Sequence, residues 1–168
     1  NAATNSTGHG IMYYLHYGYG ASVRLDNNTV TGSAGSGIVV YRSRRSNYNH
    51  LTADIVGNTC TGNSGRGIDA YWSSYGETTF RARDNTCTGN GGDGMRLLST
   101  GPALAYANTL DQNGQDGLEV KSNTVSDILY NTISANAGHG IWTDCGDIAN
   151  LNYNNIHGNY VVSADYEI

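Results

Sequence analysis

Charge is scarce in this chain: Asp, Glu, Lys and Arg together make up 14% of its 168 residues, and lysine is especially rare. Few charges and 23 glycines argue against a helical bundle, whose outer faces need ion pairs and whose helices tolerate glycine poorly. The formal net charge of −5 gives no basic footprint, so no nucleic acid partner is expected. No run of 18 apolar residues occurs, so no membrane-spanning helix is expected. Proline appears once, at Pro102, and Phe once, at Phe80. Neither an opening amphipathic helix nor a polar closing segment stands out, so capping segments are not evident. The chain starts at Asn1 rather than Met, as expected of a processed product or an excised piece. Its length fits a single domain over 1–168.

Repetition is present instead. Asn28-Thr-Val-Thr-Gly-Ser-Ala-Gly-Ser-Gly-Ile38 returns as Asn58-Thr-Cys-Thr-Gly-Asn-Ser-Gly-Arg-Gly-Ile68 and as Asn85-Thr-Cys-Thr-Gly-Asn-Gly-Gly-Asp-Gly-Met95. Asn108 to Leu118 and Asn131 to Ile141 follow the same scheme, and Asn155 to Asn159 is a shortened copy. The leading Asn advances by 30, 27, 23, 23 and 24 residues, a period that marks a stacked architecture. Asn-Thr-x-Thr alternates as a strand does, with Val30, Cys60, Cys87, Leu110 and Ile133 at the inward position. Gly-Asn then breaks the strand, because both residues tolerate positive φ. A second strand starts after Gly-x-Gly, and a third alternating run closes each longer unit. Three strands and three turns per unit predict an all-β, right-handed parallel β-helix of six to seven coils, starting near residues 1, 28, 58, 85, 108, 131 and 155.

In such a stack the asparagines form rows. Asn28, Asn58, Asn85, Asn108, Asn131 and Asn155 are expected at one turn. Asn63, Asn90, Asn113, Asn136 and Asn159 are expected at another, with Ser33 in that place in its coil. Each side-chain amide can donate to one neighbour and accept from the other, which serves the buried turn backbone. Cys60 and Cys87 are expected as stacked thiols, since a strand spacing of about 4.8 Å is long for the Cβ separation of a disulfide. The three cysteines leave the redox compartment open.

Counting from the inward Ile of each second strand places two outward rows. One holds Met12, Val39, Asp69, Arg96, Glu119 and Trp142; the other holds Tyr14, Tyr41, Tyr71, Leu98, Lys121 and Asp144. Tyr14, Tyr41, Tyr71 and Trp72 offer rings that suit the CH faces of sugars, with Trp142 further along. Arg42, Arg44 and Arg45 could hold the carboxylates of an acidic glycan by bidentate contacts, with Arg96 on the same face. Aromatic ladders also stabilise stacked strands by themselves, and Asp69, Arg96 and Glu119 alternate in sign as an ion ladder does. Asp69 and Glu119, two coils apart, are expected at about 9.6 Å, near the upper end of the inverting-glycosidase separation. Arg96 between them is expected to hold both ionised. Lys121 and Asp144 beside Tyr71 could serve a uronate-processing site, though no spacing requires it.

The repeats Asn-Thr-Val-Thr-Gly, Asn-Thr-Cys-Thr-Gly and Gly-x-Gly-Ile resemble those of the pectate-lyase-like superfamily of parallel β-helix proteins. That superfamily includes polygalacturonases, pectate and alginate lyases and mannuronan epimerases, so the resemblance implies the fold over nearly the whole chain and leaves the activity open. Gly138-His139-Gly140 is similar to the Gly-His-Gly of polygalacturonases, whose histidine assists the catalytic carboxylates. The Asn-Thr-Asp, Asp-Asp and Arg-Ile-Lys motifs of that family are missing here, and Gly8-His9-Gly10 repeats the tripeptide, so His139 reads as a turn substituent.

These features point to a secreted or cell-surface module that binds a polysaccharide or cell-surface glycan. If it processes one, the class is lyase, epimerase or glycoside hydrolase; the short, nearly loopless later coils speak against catalysis. The alternative is a structural surface or fibre module that self-associates through its ends. A third reading takes the outward pairs Thr29/Thr31, Thr59/Thr61 and Thr86/Thr88 as an ice-binding face. No cofactor and no metal is expected, since Gly91-Gly-Asp93-Gly lacks the run of nonapeptides that calcium-binding repeats need.

Overall fold

A computed structural model describes residues 1–15, 20–42, 50–72, 77–145 and 148–160, the side chains of residues 145, 148 and 149 excepted. Among the described residues, nineteen strands, β1 to β19 in chain order, form three parallel sheets. The first sheet stacks seven three-residue strands: β1 (Ala2–Thr4), β4 (Thr29–Thr31), β7 (Thr59–Thr61), β10 (Thr86–Thr88), β13 (Thr109–Asp111), β16 (Thr132–Ser134) and β19 (Asn155–His157). The second holds β2 (Ile11–Leu15), β5 (Ile38–Arg42), β8 (Ile68–Trp72), β11 (Met95–Ser99), β14 (Leu118–Ser122) and β17 (Ile141–Cys145). The third holds β3 (Ala21–Asp26), β6 (Leu51–Val56), β9 (Thr78–Arg83), β12 (Ala103–Tyr106), β15 (Ser126–Leu129) and β18 (Ile148–Asn152). Each strand pairs with its counterpart one coil away, so the chain is a parallel β-solenoid. Six strands stack through five steps in two of the sheets, which makes about five turns, slightly fewer than the six to seven coils expected.

The core is a column of inward side chains from all three sheets. Val30, Cys60, Cys87, Leu110 and Ile133 lie in register and are fully buried. Cys60 and Cys87 are free thiols, and the hydrogen bond between them, with burial, pushes the Cys87 thiol well above its ordinary range. Cys145 lies outside the described side chains. Phe80, the bulkiest fully buried side chain, has Ala53 on one side and Ala103 on the other. A large residue between two small ones keeps the coil spacing even at native packing density.

The asparagine rows have the expected geometry with one correction. Asn58 accepts from the backbone N–H of Asn28 and from its side-chain amide, both at 2.9 Å. It donates in turn to Asn85 Oδ1 at 3.0 Å and to the carbonyl of Leu25 at 2.9 Å. The row ends on Asn154, not Asn155: Asn131 donates to Asn154 Oδ1 from both its backbone and its side chain at 2.9 Å. Asn155 takes the strand place of Thr132. Two adjacent asparagines made either one a plausible leader, and the step from Asn131 is therefore 23, like the two before it. Asn1 extends the same row, donating to Asn28 Oδ1 at 3.0 Å. The second row runs from Asn63 through Asn90, Asn113 and Asn136 to Asn159 as expected.

Ser33 interrupts that second row. Its backbone N–H reaches Asn63 Oδ1 at 3.0 Å, but its buried hydroxyl has no hydrogen-bond partner. Gly10, in the place of Gly37, leaves the same space beside it. Ser33→Asn should therefore raise stability by about 1 kcal/mol, the net value of an added buried hydrogen bond. A shift of the urea midpoint to higher concentration checks it; an unchanged or lower midpoint would show that the row cannot extend into this coil.

Candidate functional site

The outward rows of the second sheet are in the register that the Ile positions imply. Met12, Val39, Asp69, Arg96, Glu119 and Trp142 pair in sequence, as do Tyr14, Tyr41 and Tyr71, and then Leu98, Lys121 and Asp144. The three tyrosines form a ladder, with ring centroids 5.1 Å apart for Tyr14 and Tyr41 and 4.6 Å for Tyr41 and Tyr71. The Arg96 guanidinium continues it, 5.1 Å from the Tyr71 ring centroid. Burial and the charge of Asp69 push the Tyr71 phenol up. Tyr41 thus has a ring on either side, and Tyr71 lies between a ring and a cation. Placed this way, Tyr41 and Tyr71 offer edges and hydroxyls rather than open faces to a sugar.

The charged row is less symmetric than its alternation suggests. Arg96 binds Asp69 bidentately, Nε to Oδ1 at 2.7 Å and a terminal nitrogen to Oδ2 at 3.0 Å. Arg66, from the middle slot of Gly-x-Gly, lies among three carboxylates. Its Nε bonds Asp93, and its terminal nitrogens stand 3.7 Å from Asp69 and 3.8 Å from Glu119. Burial alone would lower the Arg66 pKa, but Asp93, Asp69 and Glu119 outweigh it and the net shift is upward. Glu119 is left with distant partners, Arg66 and, at 3.7 Å, Lys121. Burial first and the charge of Asp93 second raise its pKa despite Arg96, Arg66 and Lys121. The charge of Arg96 still favours the ionised form of Glu119, as expected, but its hydrogen bonds go to Asp69.

A carboxyl whose pKa is higher in the folded than in the unfolded chain opposes folding once it ionises. Glu119→Gln should accordingly be more stable than the wild type at neutral pH. That advantage should shrink as pH falls through the raised value and vanish below the ordinary carboxylate range. Denaturant midpoints of both proteins at the two pH extremes check this; a constant difference would mean that the titration of Glu119 plays no part.

The middle slots of Gly-x-Gly make a further side-chain ladder. The Ser36 N–H donates to His9 Nδ1 at 3.0 Å, and the Arg66 N–H to Ser36 Oγ at 3.2 Å. The Asp116 N–H donates to Asp93 Oδ1 at 3.1 Å, and the His139 N–H to Asp116 Oδ1 at 2.7 Å. The His139 ring also lies 3.0 Å from Asp116 Oδ1. His139 is a turn side chain held by the coil before it, on the edge of the charged row.

Two shallow clefts open on the C-terminal half of this face, and Lys121 lines both. The first, about 520 Å³, is bounded by Arg66, Asp116, Glu119, His139 and Trp142. The second, about 560 Å³, is bounded by Trp72, Leu98, Ser122, Asn123 and Asp144. The Lys121 ammonium sits 4.4 Å from the Trp142 ring centroid. Glu119, Lys121, His139, Asp144, Trp72 and Trp142 are thus brought together, while the tyrosines lie nearer the N-terminal end. Arg42 is not displayed: it shares the inward parity of Ile38 and Val40, is 2% exposed, and burial lowers its pKa. Arg44 and Arg45 lie outside the described residues. Arg66, Asp93 and Asp116 also line the first cleft and are absent from the two outward rows; their common slot just before each second strand is the sequence signal for them. A second ladder of Tyr106, Tyr130 and Tyr153, with centroids 5.4 and 4.9 Å apart, was also missed. The pairs Tyr130-Asn131 and Tyr153-Asn154 marked it.

Fold and face together define a parallel β-helix repeat module with asparagine-ladder turns. The family model described as a right handed beta helix region matches residues 2–166, and the chain belongs to that family. No curated protein and no solved structure matches it.

Proposed function

We propose that this β-helix module binds polysaccharide through the outward face of its second sheet, as a secreted or cell-surface protein. The observation that carries the reading is the pair of adjoining clefts, with indole rings at Trp142 and Trp72 and hydrogen-bonding side chains at Glu119, Lys121, Asn123 and Asp144. Sugar recognition needs a ring-sized apolar surface beside groups that can both donate and accept. Glu119 and Lys121 are 3.7 Å apart, too far for a good hydrogen bond with each other, so both keep bonding capacity for a ligand. Glycan-array binding followed by titration of the best ligand tests the reading. Trp142→Ala should weaken that ligand by about 30-fold, which is about 2 kcal/mol for loss of a central aromatic contact. Unchanged affinity in a Trp142→Ala, Trp72→Ala double variant would refute it.

The first sheet supports a second reading. Thr29, Thr59, Thr86, Thr109 and Thr132 lie in one unbroken register, as do Thr31, Thr61 and Thr88. The second of these rows stops at Asp111, which accepts from Ser134 Oγ at 2.6 Å. An ice-binding face would produce thermal hysteresis; its absence would leave these threonines as strand formers only.

A further inference from the structure

Resting on the glycan-binding reading, we infer that the ligand is an uncharged polysaccharide laid across β14 from Trp142 past Lys121 toward Trp72, and not a polyuronate climbing the tyrosine ladder. Charge matching is the first reason. Arg96 is held by both oxygens of Asp69, Arg66 by Asp93, and His139 lies against Asp116. Over the lining of the two clefts, Arg66 and Lys121 face Asp93, Asp116, Glu119 and Asp144, a formal balance of −2 with His139 neutral. A uronate would find only Lys121 uncommitted among these cations and would then sit among four carboxylates. A neutral sugar disturbs none of these pairs, and its hydroxyls can donate to Glu119 and Asp144 and accept from Lys121.

Ring geometry is the second reason. A chain climbing the ladder would need open faces at Tyr41 and Tyr71, yet Tyr41 lies between Tyr14 and Tyr71, and Tyr71 between Tyr41 and Arg96. The indoles that line the clefts are Trp142, on β17 beside Glu119 with Lys121 over one face, and Trp72, at the end of β8 two strands to the other side of β14. The two clefts adjoin at Lys121, whose ammonium stands 3.7 Å from the Glu119 carboxylate, so a chain crossing there meets a donor and an acceptor together.

The test titrates the whole protein with galactomannan and arabinoxylan as neutral chains and with polygalacturonate and alginate as polyuronates, at low and high salt. A neutral chain should bind at least tenfold tighter than either polyuronate, with affinity changing less than twofold between the two salt conditions. Tighter binding of a polyuronate that weakens with salt would overturn the inference while leaving glycan binding intact. Binding to none of the four, with a blank glycan array, would instead remove the reading on which it rests. Path is tested separately with the tightest ligand. Trp142→Ala should weaken it about 30-fold and the exposed Asn123→Ala about tenfold, and Tyr14→Ala should not. The reverse pattern, Tyr14→Ala weakening and Asn123→Ala silent, would put the chain along the ladder.

Discussion

Asn108→Ala should lower the free energy of unfolding by about 4 kcal/mol, a large share of the 5–15 kcal/mol typical of a domain. Asn108 is 1% exposed. Its Oδ1 accepts from the backbone and the side-chain amide of Asn85, both at 3.0 Å. Its Nδ2 donates to the carbonyl of Ala82 at 3.0 Å and to Asn131 Oδ1 at 2.9 Å. Alanine would leave two donors of Asn85 without partners in a place closed to water and would take one donor from the carbonyl of Ala82. Each such group costs about 1–3 kcal/mol, and relaxation recovers part of the sum. Asn154→Ala, at the part-buried last rung, should cost about 1 kcal/mol, because water can reach the groups it leaves. Guanidinium unfolding of both variants measures the contrast. A solenoid holds its coils by nearest-neighbour contacts, so the break at Asn108 should also broaden the transition as the two halves uncouple. Equal losses for the two variants would mean that the row is ornament on a stack held by its core alone.

The rows were legible because a period carries its own check. Thr-x-Thr and Gly-x-Gly-Ile recur together, and any register that aligns one aligns the other, which fixed Cys60 over Cys87 and Tyr41 over Tyr71 before any coordinates. The slip at Asn155 came where the repeat shortens and two asparagines adjoin, so that one of the two signals is missing. The site was harder to read, for a physical reason. Register tells which side chains share a row; it does not tell which partner each one chooses. Arg96 stands between Asp69 and Glu119 by pairing, and alternation suggested an even ladder. The bidentate grip on Asp69 breaks that evenness, while Arg66 reaches across from a turn to Asp93. Likewise three tyrosines in one row could face a ligand or one another. Coil spacing decides, since rings at 4.6 Å exclude anything from between them.

Gly94→Ala should destabilise by about 3 kcal/mol or more, while Gly62→Ala should cost about 1 kcal/mol, although the second glycine has the more unusual backbone. Gly62 has φ of +62°, and a Cβ added there would meet nothing within 4 Å. The penalty is that of a left-handed alanine, partly offset because alanine has fewer unfolded conformations to lose. Gly94 pairs a different constraint with its place in Gly-x-Gly. A Cβ there would lie 2.7 Å from the Gly117 carbonyl oxygen and 2.7 Å from Asn113 Nδ2. Neither can move alone. The Gly117 oxygen accepts from the Met95 N–H at 3.0 Å, and Asn113 is a rung of the second row. Alanine must therefore push two coils apart at the start of β11, lengthening a strand bond and an amide contact together. The displacement falls two residues before Arg96, whose grip on Asp69 organises the charged face. The variant should accordingly lose glycan affinity even below its melting temperature, whereas Gly62→Ala, at a turn on the first sheet, should keep it. Paired denaturant and binding titrations distinguish the two effects. Similar stability losses for both glycines would show that coil spacing has more slack than the Gly94 contacts allow.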